Sequence, residues 1–266
     1  MKRLLASWIE FWDRKEAPDS LVLSRILVGA VILVDLLAAR WVGVVPDLWA
    51  PPPEGLGIGM LQSPAPWTVQ WFGASTQTAL FMWWLGVVMA ACFMLGAALL
   101  PAGVLLAFTL AELARFTPSG DRGIDTLLRT AALILSLSGA NARWSLDAWI
   151  RARFGRAPRE RVPAWPRYLL FLQLIWLYSS AAHNRGDISW WPQGGFTALG
   201  LVLSDPHYAR FAPGWAGNID GLLRAATAIT MLFEGGSPLL IFLTWCDRGE
   251  GRGGRVGSWI RKWRVR

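Results

Sequence analysis

From Thr78 to Ala111 the chain carries no charged residue, and the largely apolar run continues to Phe116. A bilayer core about 30 Å thick is crossed by about 20 helical residues, so this run is too long to cross once. Pro101, in Leu99-Leu100-Pro101, breaks a continuous helix there. The run must therefore be a hairpin of two spans, Thr78–Leu99 and Ala102–Phe116. The same measure places further spans at Leu21–Ala39, Ile124–Asn141, Tyr168–Asn184 and Leu222–Trp245. The third, fourth and fifth spans are short and would extend by a turn. Gly195–Ser204 (GFTALGLVLS) is too short to span, and reads as a re-entrant or interfacial helix. The expected fold class is an all-α integral membrane protein, a bundle of about six transmembrane helices.

Hydrophobic residues make up 54% of the chain and charged residues only 17%, with no polar block long enough to fold alone. The 18 Trp suit membrane interfaces, where an apolar ring and an N–H donor are both satisfied. A net charge of +8 invites a nucleic-acid reading, but the basic residues flank apolar spans, as cytoplasmic loops do, so no nucleic-acid partner is expected. Lys2, Arg3, Arg14 and Lys15, the arginines from Arg143 to Arg167, and the basic residues from Arg248 to Arg266 all fall on one side. Arg40, Arg115, Arg122, Arg185 and Arg210 fall on the other. This asymmetry predicts both termini in the cytoplasm and an even number of spans.

Residues 1–18 are expected to hold an amphipathic helix on the cytoplasmic side, 19–247 the transmembrane domain, and 248–266 a basic cytoplasmic tail. Met1–Glu16 lacks the continuous apolar core and cleavage site of a signal peptide. Asp19–Ser20 offers a cap for the first span.

Cys92 and Cys246 form no Cys-x-x-Cys motif and read as structural thiols. His183 and His207 are well separated, so metal-ligand spacing is absent and no metal is expected. His207, in Asp205-Pro-His-Tyr208, reads as a loop residue. No phosphate-binding loop, Gly-x-Ser-x-Gly elbow or zinc motif is present.

Charges inside membrane spans are costly and need a partner or a purpose. In the expected topology, Asp35, Arg40, Glu112, Arg115, Asp125, Arg129, His183, Arg185 and Arg224 all fall in or beside the outer halves of spans. The exceptions are Arg25, expected to snorkel inward, and Glu234, near mid-depth. Glu112/Arg115 are spaced i,i+3 and Asp125/Arg129 i,i+4, so each pair shares a helix face. The reading is an outward-opening polar pocket enclosed by apolar helices; the alternative is a set of structural ion pairs that fix helix order. Glu234 precedes Gly235-Gly236-Ser237-Pro238, which should kink the last helix, and is either neutral and hydrogen-bonded or a proton acceptor. Trp190 and Trp191 either wall the pocket or seat a loop at the interface.

Several patterns, in order, resemble the HTTM superfamily, the multispan domain of vitamin K-dependent gamma-carboxylases and their bacterial relatives. They are Ser24-Arg-Ile-Leu-Val-Gly29 with Asp35 and Arg40; Gly123-Ile-Asp125 with Leu127-Leu128, then Trp144-Ser-Leu-Asp147; Trp165-Pro166, Gln173, Tyr178, Ala181-Ala182, Arg185 and Trp191 with Gly194-Gly195; and Glu234 before Pro238. The resemblance runs roughly from Leu21 to Arg248. It implies a pocket on the outer or lumenal side and, for a bacterial-type member, a place in the bacterial inner membrane. In carboxylases it also implies a Lys, seven residues beyond the matching Tyr, that deprotonates the vitamin K hydroquinone. Counted from Tyr178, that place holds Arg185, which stays protonated and cannot act as that base. A peptide-carboxylating lumenal domain is not expected either, so gamma-carboxylation is not the expected reaction.

The functional expectation is a pocket for a lipophilic ligand, with a quinone or another isoprenoid lipid as candidate cofactor. Tyr178, Asp187, Trp191 and Arg224 would contact the ligand beside the outer charges, and His183, Arg185 and Glu234 are the catalytic candidates. Two alternatives stand. One is a membrane oxidoreductase or transferase using His183, Asp187 or Glu234 for proton transfer. The other is a non-enzymatic membrane subunit or maturation factor. Expected partners are the lipid bilayer and a membrane or periplasmic protein.

Overall fold

A computed structural model describes Ile9, residues 12–205 and residues 214–241. Most of the expected amphipathic N-terminal helix, His207, Cys246 and the basic tail lie outside these residues. The chain divides into two compact units, Met1–Leu170 and Phe171–Arg266.

The first unit is a ring of four helices. Helix α1 (Asp19–Val42) is followed by two short helices, α2 (Val45–Trp49) and α3 (Trp67–Phe72), then by α4 (Thr76–Leu95), α5 (Leu99–Phe116) and α6 (Gly123–Ser136). Helix α4 packs on α5, α5 on α6, and α1 on both α4 and α6, which closes the ring. Its core holds Met82, Trp83, Phe93, Leu106, Phe116 and Leu135, all essentially inaccessible. The buried Trp83 indole donates to the Leu36 carbonyl at 3.1 Å, so its polar atom is satisfied inside apolar packing. Outward, α1 exposes Leu23, Leu27, Val31, Val34 and Leu37, and α4 exposes Phe81, Trp84 and Val88. Apolar bands of this extent suit lipid rather than water. Among the described residues, α1, α4 and α5 are long and apolar enough to cross a membrane.

The end of the ring at the α4–α5 turn is tied by one buried charge. Arg25 is fully buried, not snorkelling as its position near the start of the first span suggests. Its guanidinium donates to the carbonyls of Phe93 (3.1 Å) and Met94 (2.6 Å), and to Trp144 O (2.6 Å). The carbonyls in the last turn of a helix lack partners within the regular helix; in α4 the N–H groups of Gly96 and Ala97 cap Phe93 O and Cys92 O, and Arg25 supplies Met94 O and a second donor to Phe93 O. Two glycines make room. Gly29 lets α1 approach α4 so closely that a Cβ there would lie 2.8 Å from Met94 Cα. Gly96 turns the chain at φ 65, and a Cβ on it would lie 2.4 Å from Arg25 Nη1. Asp147 then closes the turn, accepting the N–H groups of Ala98 (2.8 Å) and Leu99 (3.2 Å) and the Asn141 amide (2.6 Å). Asp147 opens α7 (Leu146–Arg153), whose N-cap Ser145 accepts the Ala148 N–H.

Several boundaries differ from the sequence expectation. The second span ends at Leu95 and the third begins at Leu99, so the hairpin turns at residues 96–98, and Pro101 lies in the first turn of α5, where a missing N–H costs little, rather than breaking the helix there. The first span starts at Asp19 with Pro18 as its N-cap and no side-chain cap. Asp19 sits inside the first turn and takes Arg143 at 3.1 Å instead. The fourth span ends at Ser136, five residues before Asn141, where serine hydroxyls bond locally and offer the backbone an alternative to the helix: Ser136 and Ser138 donate to Leu133 O and Leu135 O, and Ser138 accepts the Ala140 N–H. At the N-terminus Lys15–Glu16 form not helix but a two-residue strand, β1, antiparallel to β2 (Val162–Pro163). Pro18 disfavours helix at Ala17, just before it.

The second unit takes most of α8 (Trp165–His183), whose sequence crosses the division at Leu170, with α9 (Ala198–Ser204), α10 (Gly214–Asn218) and α11 (Asp220–Gly236). Between α8 and α9 lie two 3-10 turns, Ile188–Trp190 and Pro192–Gly194. The stretch expected to be re-entrant or interfacial is α9, seven residues packed on α11. Helix α11 stops at Gly236 with Ser237 as its C-cap, and helical residues resume at 239–241 after a two-residue turn, so the Gly-Gly-Ser-Pro segment interrupts the last helix where the sequence places a kink.

Replacing Arg25 by Met removes hydrogen bonds to three carbonyls, those of Phe93, Met94 and Trp144. It should cost about 3 kcal/mol or more, read as a lowered melting temperature in detergent. For Asp147, burial opposes the charge, but hydrogen bonds from Asn141, Ala98 and Leu99, with Arg151 nearby, outweigh it and hold the carboxyl below the usual carboxylate range. A depressed folded-state pKa contributes stability that is fully present above the unfolded value of about 3.9 and is lost as pH falls through the folded value. Melting curves between pH 6 and about 3 should therefore fall more steeply for the wild type than for Asp147→Asn; parallel curves would assign the acid sensitivity elsewhere.

Candidate functional site

The residues singled out by depth fall into three clusters, two in the first unit and one in the second. The largest lies at the end of the helix ring away from the α4–α5 turn. There α1, α2, α5 and α6 enclose a cavity of about 420 Å³. Its apolar wall includes Ile32, Leu36, Ala39, Leu110, Leu113 and Leu128. Asp35, Asp121, Arg122, Asp125 and Arg129 also line it. A pocket of a few hundred Å³, mostly apolar with a few fixed polar groups, is the usual form of a small-molecule site.

The polar edge is organised by Arg122 and Arg129. Arg122 Nη2 bridges two helices, donating to Asp35 Oδ2 of α1 at 2.8 Å and to Asp125 Oδ1 of α6 at 2.9 Å. Asp125 also accepts the backbone N–H of Arg122, the N-cap of α6, at 2.9 Å. Hydrogen bonding to Asp125 foremost, with the charges of Asp35 and Asp125, outweighs burial and raises the Arg122 pKa above its ordinary value. Arg129 grips Asp121 through two bonds of 2.9 Å and also donates to Thr126. The expected i,i+4 partners Asp125 and Arg129 thus take Arg122 and Asp121 as ion-pair partners instead. Asp35 and Arg122 keep side-chain exposures of 50% and 57%, so this edge is accessible from outside the helix ring. Arg40 lies in the last turn of α1 and does not line the cavity.

Glu112 and Arg115 form the second cluster. Glu112 is buried, and its Oε2 accepts the Thr68 N–H (2.8 Å) and hydroxyl (2.7 Å) at the start of α3. Arg115 pairs with Glu112 at 3.1 Å and donates to the carbonyls of Pro64 and Ala65. This pair fastens the 62–72 segment onto α5, where the acidic charge also meets the positive end of a helix dipole.

The third cluster is in the second unit. Arg185 donates through Nε and Nη2 to both oxygens of Glu234, at 2.8 and 2.7 Å. Its guanidinium stacks 3.4 Å from the Trp190 ring centroid, and its carbonyl accepts the Trp191 indole N–H at 3.0 Å. Tyr178 meets Phe233 edge-on at 5.2 Å. His183 is exposed at the end of α8. Asp187 caps the Ile188–Trp190 turn, and hydrogen bonds from the Ser189 side chain and backbone lower its pKa. Arg224 pairs with Asp220 at 2.7 Å and reaches Gly195 O at 3.4 Å. Among the described residues, no three His, Cys, Asp or Glu side chains converge as a metal site would require.

Sequence reasoning missed Arg122 and Asp121 as site residues. Their signal is present in Asp121-Arg-Gly-Ile-Asp125, an Arg flanked by two carboxylates at a helix start.

A family model described as HTTM domain matches residues 13–205. No curated protein and no solved structure is similar enough to match. The matched span contains Arg25, Asp147, every charge of the cavity and Arg185; Glu234 lies beyond it.

Removing one partner of the Arg185–Glu234 pair strands a mostly buried charge. Glu234→Ala should destabilise the protein by about 3 kcal/mol, whereas Arg185→Met with Glu234→Leu should cost far less. Thermal unfolding of both variants and of Arg185→Met alone against the wild type checks this, and a double variant that costs as much as the two single changes added together would mean that the pair is not coupled.

Proposed function

The chain belongs to the HTTM domain family, and from that premise we propose that it binds a lipophilic ligand in the cavity of the first unit. The ligand is quinone-like or another isoprenoid lipid, with its apolar body among Ile32, Leu36, Leu113 and Leu128 and its polar head at Asp35, Arg122 and Arg129. The observation that carries this reading is the pairing of an apolar cavity of about 420 Å³ with an accessible cluster of ion pairs at its edge. Such a site solvates a tail and orients a head group at once.

The protein is an integral membrane protein. We propose six spans, with α6, α8 and α11 completing the set begun by α1, α4 and α5, and both termini on the cytoplasmic side. The Lys and Arg asymmetry supports that orientation, and it opens the cavity to the outer face of a bacterial inner membrane. Gamma-carboxylation is not part of the proposal. Arg185 is committed to Glu234 through both carboxylate oxygens, and the same pairing weighs against either as a free proton acceptor.

Protein extracted in mild detergent should carry a quinone or lipid identifiable by mass spectrometry after organic extraction. Ala39→Trp should fill the cavity and abolish that occupancy, and Arg122→Gln should weaken it by roughly tenfold or more, the worth of a charge-assisted hydrogen bond. No co-purifying molecule, together with no binding of added quinone, would sink the reading.

A further inference from the structure

The connection from α6 to α8 is basic in sequence, yet it contains α7, which presents an apolar surface. Trp144, Trp149 and Phe154 are 67%, 66% and 76% exposed, and Leu146 and Ile150 are also exposed. At 3.6 residues per turn, Leu146, Trp149, Ile150 and Arg153 share one face of the helix, with Phe154 following at its end. Beside this face Arg153, Arg156, Arg159 and Arg161 are exposed and have no ion-pair partner among the described residues.

The depth of α7 is set by what its first turn touches. Asp147 accepts the N–H groups of Ala98 and Leu99, and its own N–H donates to Gly96 O at 3.1 Å. That turn joins two helices, α4 of 20 and α5 of 18 residues, each long and apolar enough to cross the bilayer. A 20-residue helix is about 30 Å long, the thickness of the hydrocarbon core, so the turn sits at the level of the head groups. Helix α7 starts at that level, with an apolar face and a set of unpaired cations.

We propose that α7 is a membrane-surface helix that docks on anionic phospholipid. Trp149, Ile150 and Phe154 enter the head-group and acyl boundary, and Arg153, Arg156, Arg159 and Arg161 hold the phosphates. Arg153, within the apolar face, buries its stem and sends its guanidinium outward. Lipid rather than a protein partner is the occupant because the face lies at the interface and its cations complement an acidic leaflet.

The test uses the full chain in nanodiscs, with Cys92→Ala and Cys246→Ser, and Ile150→Cys carrying an NBD label. In discs containing phosphatidylglycerol the label should emit at the blue-shifted wavelength of a lipid interface, resist iodide and be quenched by doxyl-labelled lipid. Native mass spectrometry of the same protein should show at least ~5-fold enrichment of phosphatidylglycerol over phosphatidylcholine. That enrichment should fall towards unity in the variant carrying Gln at 153, 156, 159 and 161, and for the unsubstituted arginines in 1 M salt. An iodide-quenched label overturns the proposal, as does one shielded from both quenchers, since a protein surface would then cover the helix. Enrichment unchanged by the four substitutions and by salt also overturns it. An unchanged melting temperature of the Gln variant separates loss of lipid binding from loss of fold.

Discussion

A single guanidinium, buried where hydrocarbon-facing helices meet, is the constraint on which the first unit depends. Arg25 joins α1, the end of α4 and the segment before α7 through three carbonyls. A charge inside a membrane protein is made tolerable by fixed dipoles that hydrogen-bond it, here at both Nη atoms of Arg25. The C-terminus of a helix offers such dipoles, with a negative end that favours a cation. Because Arg25 and Asp147 tie this end of the ring, the opposite end is free to stay open, and that is where α1, α2, α5 and α6 leave the cavity.

Much of this architecture is legible in the sequence because one property, apolar length, dominates the energetics of a membrane chain. The first three helices long enough to span lie within a few residues of their expected bounds for that reason. The fourth is shorter than expected because Ser136 and Ser138 look tolerable in an apolar run, whereas their hydroxyls turn back on the local backbone. Arg25 departs from expectation for a deeper reason. Its position near a helix start suits snorkelling equally well, and the choice is made by carbonyls 68 and 69 residues away.

The candidate site is legible as residue types but not as partnerships. Spacing alone pairs Asp125 with Arg129; the fold instead turns Arg122 back across the N-terminus of α6 to reach α1, and brings Asp121 to Arg129. Spacing does identify the Glu112–Arg115 pair, but not that Glu112 holds the start of α3. The cavity thus draws its polar edge from a connecting segment, where sequence periodicity carries no information. Arg185 is held by both oxygens of one carboxylate and covered by an indole, an arrangement suited to holding a fold.

The reach of Arg25 also orders events during synthesis. Arg25 is the seventh residue of α1, so its helix enters the bilayer before Trp144 has been translated. That farthest acceptor lies 119 residues downstream, roughly 6–24 s of elongation at 5–20 residues per second. During that interval the guanidinium lacks its full set of carbonyls, and its charge is kept in the head-group water by the flexible stem. Snorkelling is then the nascent state of this residue, and burial its mature one. The first span can settle to its final depth only after the segment that follows α6 has left the ribosome, so a translation pause between Met94 and Trp144 would prolong the unsealed state.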